Sequence, residues 1–405
     1  MIAILVFAAA FALLWWADAG AVDGRRGPLA WLSWLVPFVL FAGNRYNGAD
    51  WINYKAGFEM MAGIASPVEA VAASPFEWLV SLLMWALGRL GASYEAFVFV
   101  VGTFSVFGLQ SIFRRIGVSS PGKTFALLML IEGWTLYHEQ LRQSVAVTLC
   151  LLALIDTRRG AWLRAICLWI AATGFHSSAF IAPMLLFLAG HIHRKGNRPV
   201  TVAWTILSAG SLFLIIAASL AVLRQGLIPG LDRIQNKLVL YEEHDVFGGA
   251  LFTAGLLGYA IGLGLLLRVR KAVEARAEFW LSLCWSASVM WSLLGPLLRT
   301  EAILIRFEHY LLVFLPLTFG LLLQRPKSTT TAQKAPDMLL VAIFAMTFPL
   351  RVFLNPENVV WTLNYQNTLI YGLTNTELDD DDFRQTLICA NLALFDNDFC
   401  GRDAD

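Results

Sequence analysis

Apolar stretches of a dozen residues or more recur along almost the whole of this 405-residue chain, separated by short polar or basic interruptions. Few folds accept such a pattern. In hydrocarbon every backbone N–H and C=O must be satisfied internally, so continuous apolar runs without strict alternation are read as membrane helices. Composition excludes the soluble globular class: 58% of residues are apolar and only 15% charged, with a mean hydropathy of +0.64. The expected fold is therefore all-α and polytopic. Its spans lie near 2–17, 29–43, 94–113, 124–137, 144–156, 161–175, 179–192, 199–223, 247–269, 279–298, 307–324 and 338–354, about 12 in all. The first run lacks a basic leader and reads as a span rather than a cleaved signal. Cys150, Cys167 and Cys284 fall inside apolar runs and read as packing residues.

Charge gives the orientation. Alternate connections collect the basic residues, among them Arg114, Arg115 and Lys123, then Arg158, Arg159 and Arg164, then Arg268, Arg270, Lys271 and Arg276. The positive-inside rule assigns these connections to the cytoplasm and both termini to the outer side. Phe76–Leu90 must then begin and end outside, so it reads as a re-entrant or interfacial helix, with Ser74 as N-cap and Pro75 at its first position. The organisation that follows is a membrane-embedded domain over 1–370, with outward loops at 44–75 and 224–246, and an acidic outward tail over 371–405. In that tail Cys389 and Cys400 either pair in an oxidising compartment or stay as thiols. The loop 231–246 reads as a lid over the outward mouth or as plain solvated chain.

Four outward segments carry chemistry. Between the short runs 124–136 and 144–155 stand Tyr137, His138, Glu139, Gln140, Leu141, Arg142 and Gln143. Each run covers roughly 20 Å of a hydrocarbon core of about 30 Å, so either the polar turn is recessed or the helices run on through it, and in both cases Arg142 lies at depth. A guanidinium beside a helix N-terminus suits a phosphate group; the alternative is an internal ion pair with Glu139. The turn at His176, Ser177 and Ser178 repeats the pattern, with His176 as a proton carrier or a structural imidazole and either serine as N-cap. Arg306 and Tyr310 stand four apart on one helix face, with a rim ion pair from Arg306 to Glu308 or Glu301 as the plain reading. Arg45, Asp50 and Tyr54 follow the second span, Asp50 and Tyr54 on one face of a short helix, unless they form an interfacial aromatic belt. Walker, dinucleotide and HExxH motifs are absent from the sequence.

Taken in order, Arg45…Asp50…Tyr54, Ser74-Pro75-Phe76-Glu77-Trp78, Arg142-Gln143, Phe175-His176-Ser177-Ser178, Arg306…Tyr310 and Trp361…Tyr365 resemble the EpsG family of Wzy-type exopolysaccharide and O-antigen polymerases. The resemblance runs from about residue 44 to 370. It implies a GT-C-like protein of the bacterial inner membrane that joins undecaprenyl-pyrophosphate-linked oligosaccharide units on the outer face. It implies no nucleotide, metal or other cofactor, no nucleic-acid partner, and a chain-length regulator or export machinery as a further partner. On this reading Arg142 and Arg306 hold the pyrophosphate, with Arg45 a third ligand, and His176 or Asp50 is the general base. Glu139, Gln143, Ser177 and Tyr310 line the substrate, and Trp51, Tyr54 and Tyr365 stack on sugar or polyprenyl. The rivals are an O-antigen ligase, a membrane O-acyltransferase of glycans and a polyprenyl-linked sugar flippase.

Overall fold

The computed structural model describes residues 2–18, 28–45, 50–131, 136–137, 140–183, 249–276, 278–298, 302–322, 367–369 and 386. Expected spans 199–223 and 338–354, most of 179–192, the lid segment, the tail cysteines and residues His138, Glu139, Trp361 and Tyr365 lie outside them. The chain divides into two compact units, Met1–Ala179 with Val352–Asp405, and Phe180–Arg351. The described secondary structure is helical, apart from an isolated bridge between Asn44 and Asn367.

In the first unit the helices are α1 (Ile2–Ala17), α2 (Leu32–Ala42), α3 (Trp51–Gly63), α4 (Pro67–Ala73), α5 (Trp78–Arg89), α6 (Tyr94–Ile116), α7 (Pro121–Leu128), α8 (Leu141–Arg158) and α9 (Trp162–Phe175), followed by a 3₁₀ turn at Ser177–Ile181. Helix α6 is delimited by its own sequence. The Ser93 hydroxyl caps it by accepting from the Ala96 amide, and Gly117 ends it in the left-handed region at φ +85°. Its 23 residues are, among the described helices, the one stretch both long and apolar enough to cross a membrane. Phe99, Val100, Phe104 and Phe107 on α6, and Trp162, Leu163, Ile166 and Ile170 on α9, are exposed. Apolar faces of this size on a soluble protein would be anomalous; against lipid they are ordinary. Cys167 is also exposed, on α9, whereas Cys150 and Cys284 are buried packing residues as expected.

Helix α8 packs against α6 and α9, α2 against α6, and α5 against α3, α4, α6 and α9. Close approach is made by small residues. A Cβ added at Gly102 would stand 2.6 Å from the Phe41 carbonyl oxygen, so α2 and α6 cross backbone to backbone there. Gly57 leaves room for the Phe76 ring against α3. At the C-terminal end of α8, buried Asp156 takes both the Arg164 guanidinium and, at 3.5 Å, Arg115. This joins α6, α8 and α9 at one end. At the same sequence-assigned side, Asp18 accepts the Lys123 amide at 2.7 Å and ties α1 to α7.

The second unit holds α10 (Gly249–Arg276), α11 (Phe279–Leu298), α12 (Ala302–Leu312) and α13 (Phe314–Leu322), with α11 packed against the other three. The single span expected over 307–324 is two helices. Pro316 offers no amide to the Leu312 carbonyl, and the helix turns at Val313 before restarting. On the span expected over 124–137, α7 starts at Pro121 and passes into π-helical turns at 129–131 and 136–137. Segment 44–75, expected as an outward loop with one short helix, contains both α3 and α4.

Candidate functional site

The re-entrant stretch is a 12-residue helix, but it does not begin where its sequence suggests. Ser74 closes α4, and its hydroxyl accepts from the Phe76 amide at 3.0 Å and from the Ser81 hydroxyl at 2.6 Å. Phe76 and Glu77 therefore stay outside the helix, Glu77 is the N-cap residue with ψ 152°, and α5 opens at Trp78. The three-residue delay turns the Glu77 carboxylate away from the helix and toward α8.

Gln140 occupies the N-cap position of α8 without a side-chain capping bond, and Arg142 sits in the first turn, as the sequence predicts. Arg142 is nearly buried, its side chain 14% exposed. Its Nη1 donates to Glu77 Oε2 at 2.5 Å and its Nε to the Tyr54 hydroxyl at 3.2 Å. The guanidinium carbon lies 4.8 Å from the centroid of Phe76 and 5.4 Å from that of Tyr54, so two aromatic rings flank the cation. Among the described residues none accepts from Nη2, leaving that edge of the fork for a ligand.

Glu77 reaches a second turn as well. Its Oε1 accepts from both the amide and the hydroxyl of Ser177, each at 3.1 Å. One carboxylate thus bridges the head of α8 and the turn after α9. Burial pushes the Glu77 carboxyl up, but Arg142, His176 and the Ser177 amide outweigh it and hold it at about 2. At neutral pH it is ionised. The residue before Ser177, His176, is 4% exposed. Its Nδ1 lies 2.6 Å from the Ser178 hydroxyl and receives the Ser178 amide at 3.3 Å.

Asp50 immediately precedes α3 and acts on Arg142 through space. Tyr54 follows one turn later, giving the shared face expected of them. Arg45 lies 3.8 Å from Glu95. Gln143 is buried next to Arg142. The first unit therefore brings together Tyr54, Arg142, His176 and Ser177, which the sequence singles out separately. The ion pair considered for Arg142, with Glu139, falls on a residue outside the described ones; the observed partner is Glu77. Glu77 is the member that the candidate set omits, although it stands inside the quoted Ser74–Trp78 motif.

In the second unit, Arg306 and Tyr310 both lie on α12, Arg306 half-buried and Tyr310 buried. Glu308 is fully buried and accepts from the Tyr259 hydroxyl at 2.5 Å and the Trp291 indole at 2.9 Å, away from any solvated rim.

A helical protein with lipid-suited outer faces and a half-buried Arg–Glu pair, bonded to an exposed serine, at one end of its helices belongs to the membrane class. The family profile is more specific: residues 29–366 match that of the EpsG family, and the chain belongs to it. The family comprises exopolysaccharide and O-antigen polymerase-like proteins, which gives this membrane protein a glycosyltransferase-like role in polysaccharide polymerisation. No curated protein and no solved structure matches the chain.

Proposed function

We propose that the protein polymerises undecaprenyl-diphosphate-linked oligosaccharide units by glycosyl transfer on the outer face of the bacterial inner membrane. The observation that carries this reading is the Arg142 fork: positioned by Tyr54 and Glu77, flanked by two rings, with Nη2 available to an anion. In the transfer, an acceptor hydroxyl attacks the anomeric carbon of the donor, and negative charge builds on the departing diphosphate. A planar cation already in place stabilises that charge without reorganisation. The Ser177 amide and hydroxyl stand on the far side of Glu77, where further donors to a phosphate oxygen are wanted. The His176 Nδ1 is engaged by Ser178, so the base is sought among the carboxylates, Asp50 or Glu77. Tyr54 and Trp51 are suited to a sugar or polyprenyl face. Arg306 and Tyr310 belong to the other unit, and the reading stands on the first unit alone.

Deleting the gene and analysing surface glycan tests the function. Loss of polymer with single units still exported is the expected result. Loss of acyl groups alone would mark an acyltransferase, and inward-facing lipid-linked units a flippase. At the site, Arg142→Lys is expected to insert normally and lose polymer, because a point charge lacks the fork. Wild-type polymer in that variant would remove Arg142 from the mechanism.

A further inference from the structure

Arg142 presents a difficulty as a diphosphate ligand: the chain's own carboxylate already occupies half of its fork. The same carboxylate touches the neighbouring turn, is 13% exposed and hangs from an extended segment between α4 and α5 rather than from a helix. We propose that Glu77 is an exchangeable counter-ion that becomes the general base: the donor's diphosphate takes over Arg142, and the displaced carboxylate accepts the proton of the acceptor hydroxyl. This rests on the polymerase reading above and assigns within it the base and the order of events.

The exchange changes what Glu77 can do. Paired, its carboxyl is held at about 2 by Arg142, His176 and Ser177 against the opposing effect of burial. Such a carboxylate is too weak a base to help an alcohol. Once Arg142 has turned to the diphosphate, burial acts with one partner fewer, and the proton affinity rises. The groups facing it are then His176 and Ser177 after α9, Tyr54 on α3 and, acting on Arg142, Asp50 at the head of α3. The base is switched on only when a donor is bound, so acceptor hydroxyls and water are not activated over an empty site.

The step balances. The acceptor O–H proton passes to a Glu77 oxygen while that acceptor oxygen bonds to the donor's anomeric carbon. The bond from that carbon to the phosphate oxygen breaks, and its electron pair leaves with the lipid diphosphate on Arg142. When the lipid diphosphate departs, Arg142 returns to Glu77 and drives its proton out to water. Asp50 is the weaker candidate because its influence on Arg142 is through space, whereas Glu77 makes direct contact.

The test uses the full chain in lipid nanodiscs with lipid-linked units extracted from cells lacking the gene. Donor binding and lipid diphosphate release are followed separately, with and without azide, a nucleophile that brings no proton to remove. Glu77→Gln is expected to bind donor at least as tightly as wild type and to polymerise at least about 100-fold more slowly. Glu77→Ala with azide is expected to release lipid diphosphate at about the wild-type rate and to yield the glycosyl azide. If the alanine variant does not fold, the isosteric Gln carries the azide arm. Polymerisation by Glu77→Gln within about tenfold of wild type, loss of its donor binding, or failure of azide to restore release overturns the proposal. So does a larger defect in Asp50→Asn than in Glu77→Gln. Wild-type protein that never releases lipid diphosphate would instead strike the polymerase reading itself.

Discussion

Arg142 is tolerable at its depth because Glu77 cancels its charge while Tyr54 and Phe76 cover its faces. The pair has a consequence for pH. Glu77 lies outside the membrane-spanning helices, and its folded carboxyl is held at about 2 against an ordinary value of 4.5. A group depressed on folding stabilises fully above its unfolded value, and that stabilisation fades as pH falls from about 4.5 toward about 2. The difference in thermal midpoint between wild type and Glu77→Gln in detergent is therefore expected to be constant from about pH 5 to about pH 8, worth roughly 3 kcal/mol, and to close near pH 2. A difference that closes between about pH 6 and about pH 8 instead would mean that His176, not Glu77, governs the cluster. Arg142 was legible in the sequence because a guanidinium between two short apolar runs has nowhere inexpensive to go. Glu77 was not, because its meaning comes from a partner 65 residues away and from a helix start delayed by the Ser74 hydroxyl.

At the scale of elements, several apolar runs marked helices, although only α6 carries signals at both ends. Helices α1, α2, α6, α8, α9 and α11 fall on expected spans. Runs interrupted by backbone chemistry did not show their breaks: hydropathy is blind to the missing amide of Pro316 that divides α12 from α13. Helices α3 and α4 are too polar to register as spans, yet α3 supplies Tyr54 and supports α5. Where helices meet backbone to backbone, substitution should be felt sharply. Gly102→Ala drives a methyl against the Phe41 and Ala42 backbone and is expected to destabilise by about 1–3 kcal/mol in a reversible denaturation assay. Gly63→Ala, with open space around its added methyl, is expected to be neutral or slightly stabilising and serves as its control. Equal effects would show that the α2–α6 crossing can slide apart.

Within the first unit as a whole, chemistry is sorted by end. Asp18 with Lys123, and Asp156 with Arg115 and Arg164, join residues that the charge pattern assigns to one side; Tyr54, Glu77, Arg142 and Ser177 are assigned to the other. Helix α8 separates the two sets by about 27 Å, the length of its 18 residues. Grouping of like charges at one end was readable because basic residues recur in alternate loops, while the partners across loops were not, because pairing is a tertiary event. The same unit is completed by residues from near the chain's end. Asn367 donates to the Val39 carbonyl at 2.6 Å, and the Thr368 amide to that of Gly43 at 2.7 Å, satisfying carbonyls at the end of α2. Asn367→Ala is expected to lower stability by about 1–2 kcal/mol, read as a shift in the denaturation midpoint. An unchanged midpoint would show that water serves those carbonyls equally well. Synthesis feels this arrangement too: the bond from Asn367 to Val39 spans 328 positions of chain. Translation must run through those 328 positions before the second helix finds this partner, so a stitch made late in synthesis closes an element made early.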